Sequence, residues 1–291
     1  MMGIILNKDT KVIVQGITGK AGSMHTMTML EYGTQVVGGV RPGAGGEIVH
    51  GVPVFDTVYE AVKATGANSS VLFVPPAAAL DAALEAFSAG IRLVVAPPEN
   101  IPLHSEVRMV SAARRSGATL IGPNTAGIID PELKVKIGFV PNGVFSPGKI
   151  GIASRSGTLM YEMASRISSV GLGESTCIGV GGDPVQGLRF SQACSLFEED
   201  KDTAAILIIG EIGGSQEEEV ASMVLDGSIK KPVIAYMAGR YAPKGRKMGH
   251  AGAIVSGSRG SIDEKIAAFK KAGITVGSTP GETVKLIEGE M

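Results

Sequence analysis

The sequence predicts an α/β protein of two doubly wound domains, each a parallel sheet covered by helices, and three observations carry the prediction. Short β-branched apolar runs alternate with helical patterns from one end of the chain to the other. The runs are continuously apolar, as strands buried on both faces are, rather than alternately apolar and polar. The alternation stops once, over residues 130–148, where Pro131, Pro141 and Pro147 fall in one stretch, and then resumes. Residues 1–130 are read as the first domain, 131–148 as a linker with a short extended piece, and 149–291 as the second domain.

The first domain opens with a strand at 11–15, a glycine loop and a helix reaching Tyr32. Strands at 35–40, 70–75, 92–96 and 119–122 follow, with helices at 77–89 and 104–116. The second domain has strands at 149–153, 177–180, 204–209 and 232–236. Two of its helix starts fit a capping box, in which a serine and a glutamate three residues later satisfy free first-turn amides: Ser215 with Glu218, and Ser261 with Glu264. Gly273, after Lys270 and Lys271, fits a helix stop.

Composition narrows the function classes. A chain of 291 residues can bury sizeable cores. Its 27 Lys and Arg nearly balance 28 Asp and Glu, so no nucleic acid or membrane partner is expected. The absence of tryptophan argues against a stacking platform for single-stranded nucleic acid. Cys177 and Cys194 form no CxxC pair, so neither a zinc site nor a redox motif is suggested. The apolar piece at 4–6 turns polar at Asn7, too short for a secretory signal, and no run approaches the roughly 20 apolar residues of a membrane span. A cytoplasmic location is expected.

The loop after the first strand, Gly16-Ile-Thr-Gly19-Lys-Ala-Gly22, opens a helix. In a parallel α/β sheet this is where phosphates bind, because helix amides and the helix dipole point at the loop. The alternative is a tight turn without a ligand. An NAD site wants an acid at the end of the second strand; here Arg41 stands there, which suits a ribose carrying phosphate, as in NADP and coenzyme A, the alternative being a solvated loop arginine.

Four loops of the second domain follow strands and so fall at one sheet edge, where open parallel sheets bind ligands. They are Ser154-Arg-Ser156-Gly157-Thr158, the Gly181-Gly-Asp-Pro184 loop, the Gly210-Glu-Ile-Gly-Gly214 loop, and the segment 242–253 around His250. The first is a phosphate-type loop or an ordinary serine cap. His250 lies between Gly249 and Gly252, after Lys244, Arg246 and Lys247. That surround suits a ring that accepts a phosphoryl group; the alternative is an exposed loop histidine beside a basic patch. Glu211 could accept the Nδ1 proton of a histidine and leave Nε2 as nucleophile, or pair with Arg240.

These residues resemble the succinyl-CoA synthetase (succinate–CoA ligase) alpha-subunit family over nearly the whole chain. The resemblance rests on VxxQGxTGxxG at 12–22, GGV-x-PG at 38–43, GPN at 122–124 and SRSGTLxYE at 154–162. It rests further on GGDP at 181–184, GEIGGSxEEE at 210–219 and APKG-x-x-MGHAGAI at 242–254. It implies a Rossmann-like CoA-binding domain followed by a flavodoxin-like ligase domain in which His250 is phosphorylated on Nε2 and Glu211 orients it. It also implies that Thr18, Gly19, Lys20 and Ala21 wrap CoA phosphates, with Arg41 beside them, and that Pro97, Pro98, Glu99 and Asn124 belong to the CoA site. Ser154, Ser156, Gly157 and Thr158 would hold the phosphoryl group, and Tyr161 would border the acyl substrate at a subunit contact.

The implied reaction joins a small dicarboxylic or tricarboxylic acid to coenzyme A through a phosphohistidine and an acyl phosphate. ATP or GTP with Mg2+ would sit on an ATP-grasp beta subunit, and no metal site is expected on this chain. Ala44 stands where the family usually has lysine, Pro97-Pro98-Glu99 replaces Ile-Thr-Glu, and Thr125-Ala126 follows the GPN motif in place of Cys-Pro. These departures keep open a malyl-CoA or citryl-CoA synthetase small subunit. Rivals of other classes are a non-catalytic CoA-binding module and an NADP oxidoreductase.

Overall fold

In the computed structural model, which describes residues 4–240, 249–254 and 260–291, the chain forms two compact units. One comprises Met1–Ile129, Leu133–Asn142 and Val185–Gly187, and the other Asp130–Glu132, Gly143–Pro184 and Leu188–Met291.

The sheet of the first unit contains β1 (Lys11–Gln15), β2 (Gln35–Val40), β3 (Ile48–Val49), β4 (Val52–Phe55), β5 (Ser69–Leu72), β6 (Leu93–Val95) and β7 (Thr119–Ile121). Their order is β3-β4-β2-β1-β5-β6-β7, parallel throughout except for the short β3–β4 pair. Without β3, the order is the 3-2-1-4-5-6 of doubly wound nucleotide-binding sheets, so the loop after β1 lies where the strand order reverses. The helices are α1 (Lys20–Tyr32), α2 (Val58–Thr65), α3 (Ala79–Ser88) and α4 (Leu103–Ser116). Ile13, Leu72 and Val94 from the sheet pack with Ala83, Ala86 and Met109 from the helices. The sequence reading did not anticipate β3, β4 and α2. Two-residue and four-residue strands carry too little periodicity to register, although Thr57 caps α2 by accepting the Glu60 N–H at 3.2 Å.

The proline-rich stretch 131–148 contains more structure than its composition suggests. The strand β8 (Gly127–Asp130) neighbours β9 (Val135–Gly138), which lies inside that stretch. Thr34 Oγ1 donates to the Lys136 carbonyl at 2.9 Å and accepts the Lys136 N–H at 3.0 Å, and the Asn142 amide donates to the Thr28 carbonyl at 3.1 Å. These bonds anchor the stretch to the end of α1 and the turn after it.

The second unit has β10 (Pro147–Ser154), β11 (Glu174–Gly179), β12 (Ala205–Glu211), β13 (Val233–Ala238) and β14 (Thr275–Gly277). They run parallel in the order β14-β13-β12-β10-β11. Counted from β10 this is 2-1-3-4-5, the flavodoxin-like winding, and β10 is its switch point. The helices are α5 (Gly157–Ser169), α6 (Phe190–Glu199), α7 (Gln216–Leu225), α8 (Ile262–Lys271) and α9 (Pro280–Glu290). Ser261 caps α8, accepting the Glu264 N–H at 3.3 Å. Ser215 makes no side-chain cap at α7, contrary to the capping box expected there. The acids of that first turn are drawn elsewhere: Glu217 is ion-paired with Arg155 and Lys265, and Glu218 lies 3.9 Å from Lys265. Gly273 ends α8 with φ +75°, a conformation that favours glycine. Among the described residues no helix is long and apolar enough to cross a membrane.

Candidate functional site

The loop after β1 frames a cavity of about 740 Å³ in the first unit, lined by Thr18, Gly19, Arg41, Phe73, Asp81 and Glu85 among others. Its three glycines serve different ends. A Cβ on Gly16 would lie 2.9 Å from the Phe73 carbonyl carbon, and one on Gly22 would lie 2.8 Å from the Gly16 carbonyl carbon, so packing alone demands both. Gly19 has an ordinary φ of −71°, and a Cβ there would meet only the Gly16 oxygen at 3.3 Å. The fold therefore has little need of glycine at 19, whereas a ligand approaching the backbone does. Arg41 Nη1 donates to Thr18 Oγ1 at 3.0 Å across the same cavity. Lys20 and Ala21 begin α1 and are exposed, and no acid occupies its first turn, so the positive end of the helix dipole is left uncompensated. Ala44 is buried in a turn whose Gly43 and Gly45 amides donate to Asp56 Oδ1 at 2.7 and 3.0 Å.

The other residues assigned to CoA lie apart from this cavity's lining. Pro97 and Pro98, half-buried, and the exposed Glu99 follow β6. Asn124 follows β7 with φ +55°, and its N–H donates to the Pro98 carbonyl at 3.0 Å. The fold thus joins Pro98 and Asn124 at the ends of neighbouring strands.

In the second unit, His250 Nδ1 lies 2.8 Å from Glu211 Oε2. Glu211 is the last residue of β12, two positions beyond the apolar run that marked the strand in sequence. An ionised carboxylate only accepts hydrogen bonds, so Nδ1 carries the proton and the lone pair of the neutral ring is on Nε2. The hydrogen bond to Glu211 raises the pKa of His250. Burial opposes it, the charges of Glu211 and Asp183 add to it, Arg155 subtracts, and the net shift is upward. The imidazole side chain is 27 % exposed and that of Glu211 10 %, so the pair is sheltered but reachable. The ring rests on bare backbone: a Cβ on Gly182 would stand 2.6 Å from Nδ1. The Gly252 N–H donates to the Gly182 carbonyl at 3.0 Å, which ties the histidine segment to the loop after β11.

The loop after β10 is a cap in its own right. Ser156 accepts the Leu159 N–H at 3.3 Å, and Ser154 Oγ donates to the Ser156 carbonyl at 2.7 Å. Both serines are thereby used locally. Gly157 and Thr158 open α5, whose first turn holds no acid. The Tyr161 hydroxyl is buried without a hydrogen-bond partner among the described residues, its ring edge-on to Phe145 at 6.2 Å, and burial pushes its pKa up. Lys244, Arg246 and Lys247, and the segment 242–248, lie outside the described residues.

Sequence reasoning passed over a buried charge cluster beneath this pair. Arg155 Nε donates to Glu217 Oε1 at 3.0 Å, and Lys265 Nζ is paired with Glu217 Oε2. All three residues are buried. Burial would raise the Glu217 pKa, but Arg155 and Lys265 outweigh it and hold the carboxyl below its ordinary value. The available signals were Arg155 inside the quoted SRSGT motif and Lys265 on the apolar face of α8 with Ile262 and Phe269. Arg155 also lines a cavity of about 780 Å³ with Arg189, Gly214, Gln216, Gly252 and Glu264.

Comparison with known proteins adds to this geometry. Residues 7–99 match the CoA binding domain family, and residues 153–275 match the CoA-ligase family. The chain is 50 % identical to succinate–CoA ligase (ADP-forming) subunit alpha 2 of Archaeoglobus fulgidus, covering 98 % of this chain and 99 % of that protein. It is 47 % identical to malate–CoA ligase subunit alpha of Methylorubrum extorquens, covering 96 % of this chain and 95 % of that one. Among solved structures, ATP citrate lyase of Methanosaeta concilii superposes with a TM-score of 0.88 at 24 % identity, covering 98 % of this chain. This chain spans 50 % of the length of that solved chain, and the likeness shows the fold alone.

Proposed function

The chain belongs to the succinate–CoA ligase alpha-subunit family, and from that premise we propose that it is the alpha subunit of an ADP-forming acid–thiol ligase whose acid is succinate and whose phosphoryl carrier is His250. The observation that carries the reading is the 2.8 Å hydrogen bond between His250 Nδ1 and Glu211 Oε2, which leaves Nε2 free to attack. Nε2 forms a bond to the terminal phosphorus of the nucleoside triphosphate, and the bond from that phosphorus to the bridging oxygen of the departing diphosphate breaks. The acid carboxylate then takes the phosphoryl group from Nε2. The CoA sulfur attacks the acyl carbon and inorganic phosphate leaves, giving acyl-CoA. Glu211 keeps its proton bond to Nδ1 throughout, and so stabilises the cationic ring that attack creates.

The loop at 16–22 and Arg41 hold the phosphates of CoA, with Pro97, Pro98, Glu99 and Asn124 at the rest of its site. Gly157 and Thr158, at the amide-rich start of α5, hold the phosphoryl group, in a loop shaped by the local hydrogen bonds of Ser154 and Ser156. Tyr161 borders the acid. The nucleotide and its magnesium belong to an ATP-grasp beta subunit, as the family resemblance implies, and this sequence carries neither a G-x-x-x-x-G-K-S/T loop nor a recognisable ATP-grasp region. The enzyme works in the cytoplasm. Malate is the second reading for the acid, favoured by the 47 % identity to a malate–CoA ligase alpha subunit.

The test uses this chain co-purified with its beta subunit, supplied with CoA, ATP or GTP, and succinate, malate or citrate in turn. Succinyl-CoA formation with ATP, and phosphate labelling of the chain that His250→Asn abolishes, are expected. Labelling that persists in His250→Asn would remove His250 from the reaction, and malyl-CoA as the preferred product would select the second reading.

A further inference from the structure

Lys265 is a buried cation on α8, 52 residues from Gly213 in sequence, yet it is bonded to the turn that carries Glu211. Its Nζ donates to the Gly213 carbonyl at 2.8 Å and is paired with Glu217 Oε2. The other oxygen of Glu217 accepts Arg155 Nε at 3.0 Å and the backbone N–H of Glu211 at 3.3 Å. One ionised carboxyl thus bridges Lys265, Arg155 and the main chain of Glu211. The same turn abuts the histidine segment: a Cβ on Gly213 would come within 2.9 Å of the Ile254 carbonyl oxygen, and Gly213 N–H donates to the Gly260 carbonyl at 2.8 Å.

This arrangement is costly as a source of stability alone. A buried ion pair is weak evidence for stability, since apolar residues of the same volume often serve as well. It is effective for fixing a turn, because each charge-assisted bond has a defined direction. We propose that Lys265, acting through Glu217 and the Gly213 carbonyl, is a positioning residue that holds the 211–214 turn so that the Glu211 carboxylate meets His250 Nδ1. This rests on the phosphoryl role read for His250. Lys265 touches neither the ring nor a reacting atom; it sets where Glu211 stands. Among the described residues the charged groups that act on the ring are Glu211, Asp183 and Arg155, so displacement of Glu211 removes the largest influence that raises the histidine's pKa.

The test compares wild type, Lys265→Met and Glu217→Gln in the full chain, with histidine Cε1 labelled with carbon-13. The His250 resonance is identified by its loss in His250→Asn and titrated by NMR. In both variants the His250 midpoint is expected to move to lower pH. In the complex with the beta subunit, the rate of histidine phosphorylation is expected to fall about 10- to 100-fold with little change in the KM for nucleotide. CoA affinity, read by calorimetry, should not change, because that cavity belongs to the other unit. A folded variant whose His250 midpoint matches wild type overturns the proposal. If Lys265→Met does not fold, Glu217→Gln, which keeps side-chain shape, decides alone by the same midpoint. The titration is read without turnover, so it reports on the clamp even if His250 carries no phosphate.

Discussion

The imidazole of His250 rests against the Cα of Gly182, so closely that a Cβ built on that glycine would stand 2.6 Å from Nδ1. Gly182 lies in the GGDP loop after β11, and its carbonyl accepts the Gly252 N–H at 3.0 Å. Gly182→Ala must therefore push the ring away from Glu211. Histidine labelling from nucleotide in the complex should fall at least about tenfold, with CoA affinity retained. Labelling at the wild-type rate would show that the ring works from another position.

Glu211→Gln should change the pH dependence in a definite direction. Only the neutral ring is a nucleophile, so phosphorylation rises with pH through the His250 pKa, which Glu211 raises. With an amide at 211 that pKa drops, and the acidic limb of the rate profile should shift to lower pH while the maximal rate falls. Stopped-quench labelling between pH 5 and 9 measures both. An acidic limb that stays where it is would separate Glu211 from the titration of His250.

Gly19→Val tests the first loop. Its φ of −71° suits any residue and a Cβ there meets only one oxygen at 3.3 Å, so the fold should tolerate a side chain. The valine would occupy the space through which phosphate approaches the backbone. Calorimetry should show CoA affinity reduced at least about tenfold, a loss of roughly 1.4 kcal/mol. Unchanged affinity would reduce this loop to a turn.

Glu174 offers a stability test away from the site. Burial raises its pKa from 4.5 to about 8, against the opposing bonds from Ser146 and Ser168. The folded chain keeps the proton that the unfolded chain releases, so the stability contributed below pH 4.5 is lost as pH rises to about 8. The loss is on the order of 4 kcal/mol. Glu174→Gln cannot ionise, and its carbonyl can still accept the Ser146 N–H. The drop in thermal midpoint from pH 5 to pH 8 should therefore be smaller in the variant. Equal drops would show that Glu174 is already ionised in the folded chain.

Much of the fold was legible because its signals are local. Apolar runs such as Lys11–Gln15 and Gln35–Val40 coincide with strands to the residue, and Gly273, read as a stop, ends α8 with positive φ. Short elements were not legible: Ile48–Val49 and Val52–Phe55 are strands because the sheet edge receives them, not because their sequence insists on it. The stretch 131–148 reads as a linker with a short extended piece because three prolines interrupt it, while the Thr34–Lys136 bonds that order part of it span 102 residues.

By itself the sequence determined the alternation of strands and helices, the glycine-bearing loops after the strands, and the residue types able to carry phosphoryl chemistry. Those depend on side-chain chemistry and backbone permission within a few residues. Tertiary structure decided which groups meet. Parallel register puts the ends of β12 and β11 at one sheet edge on either side of β10, and there Glu211 meets His250 across 39 residues of chain. It likewise decided that Ser215 makes no cap at α7, where Glu217 turns inward to Arg155 and Lys265. The Lys265–Glu217 pair closes over 48 residues, a partnership no local pattern encodes, because a buried charge is tolerated only where the whole fold delivers its counter-charge.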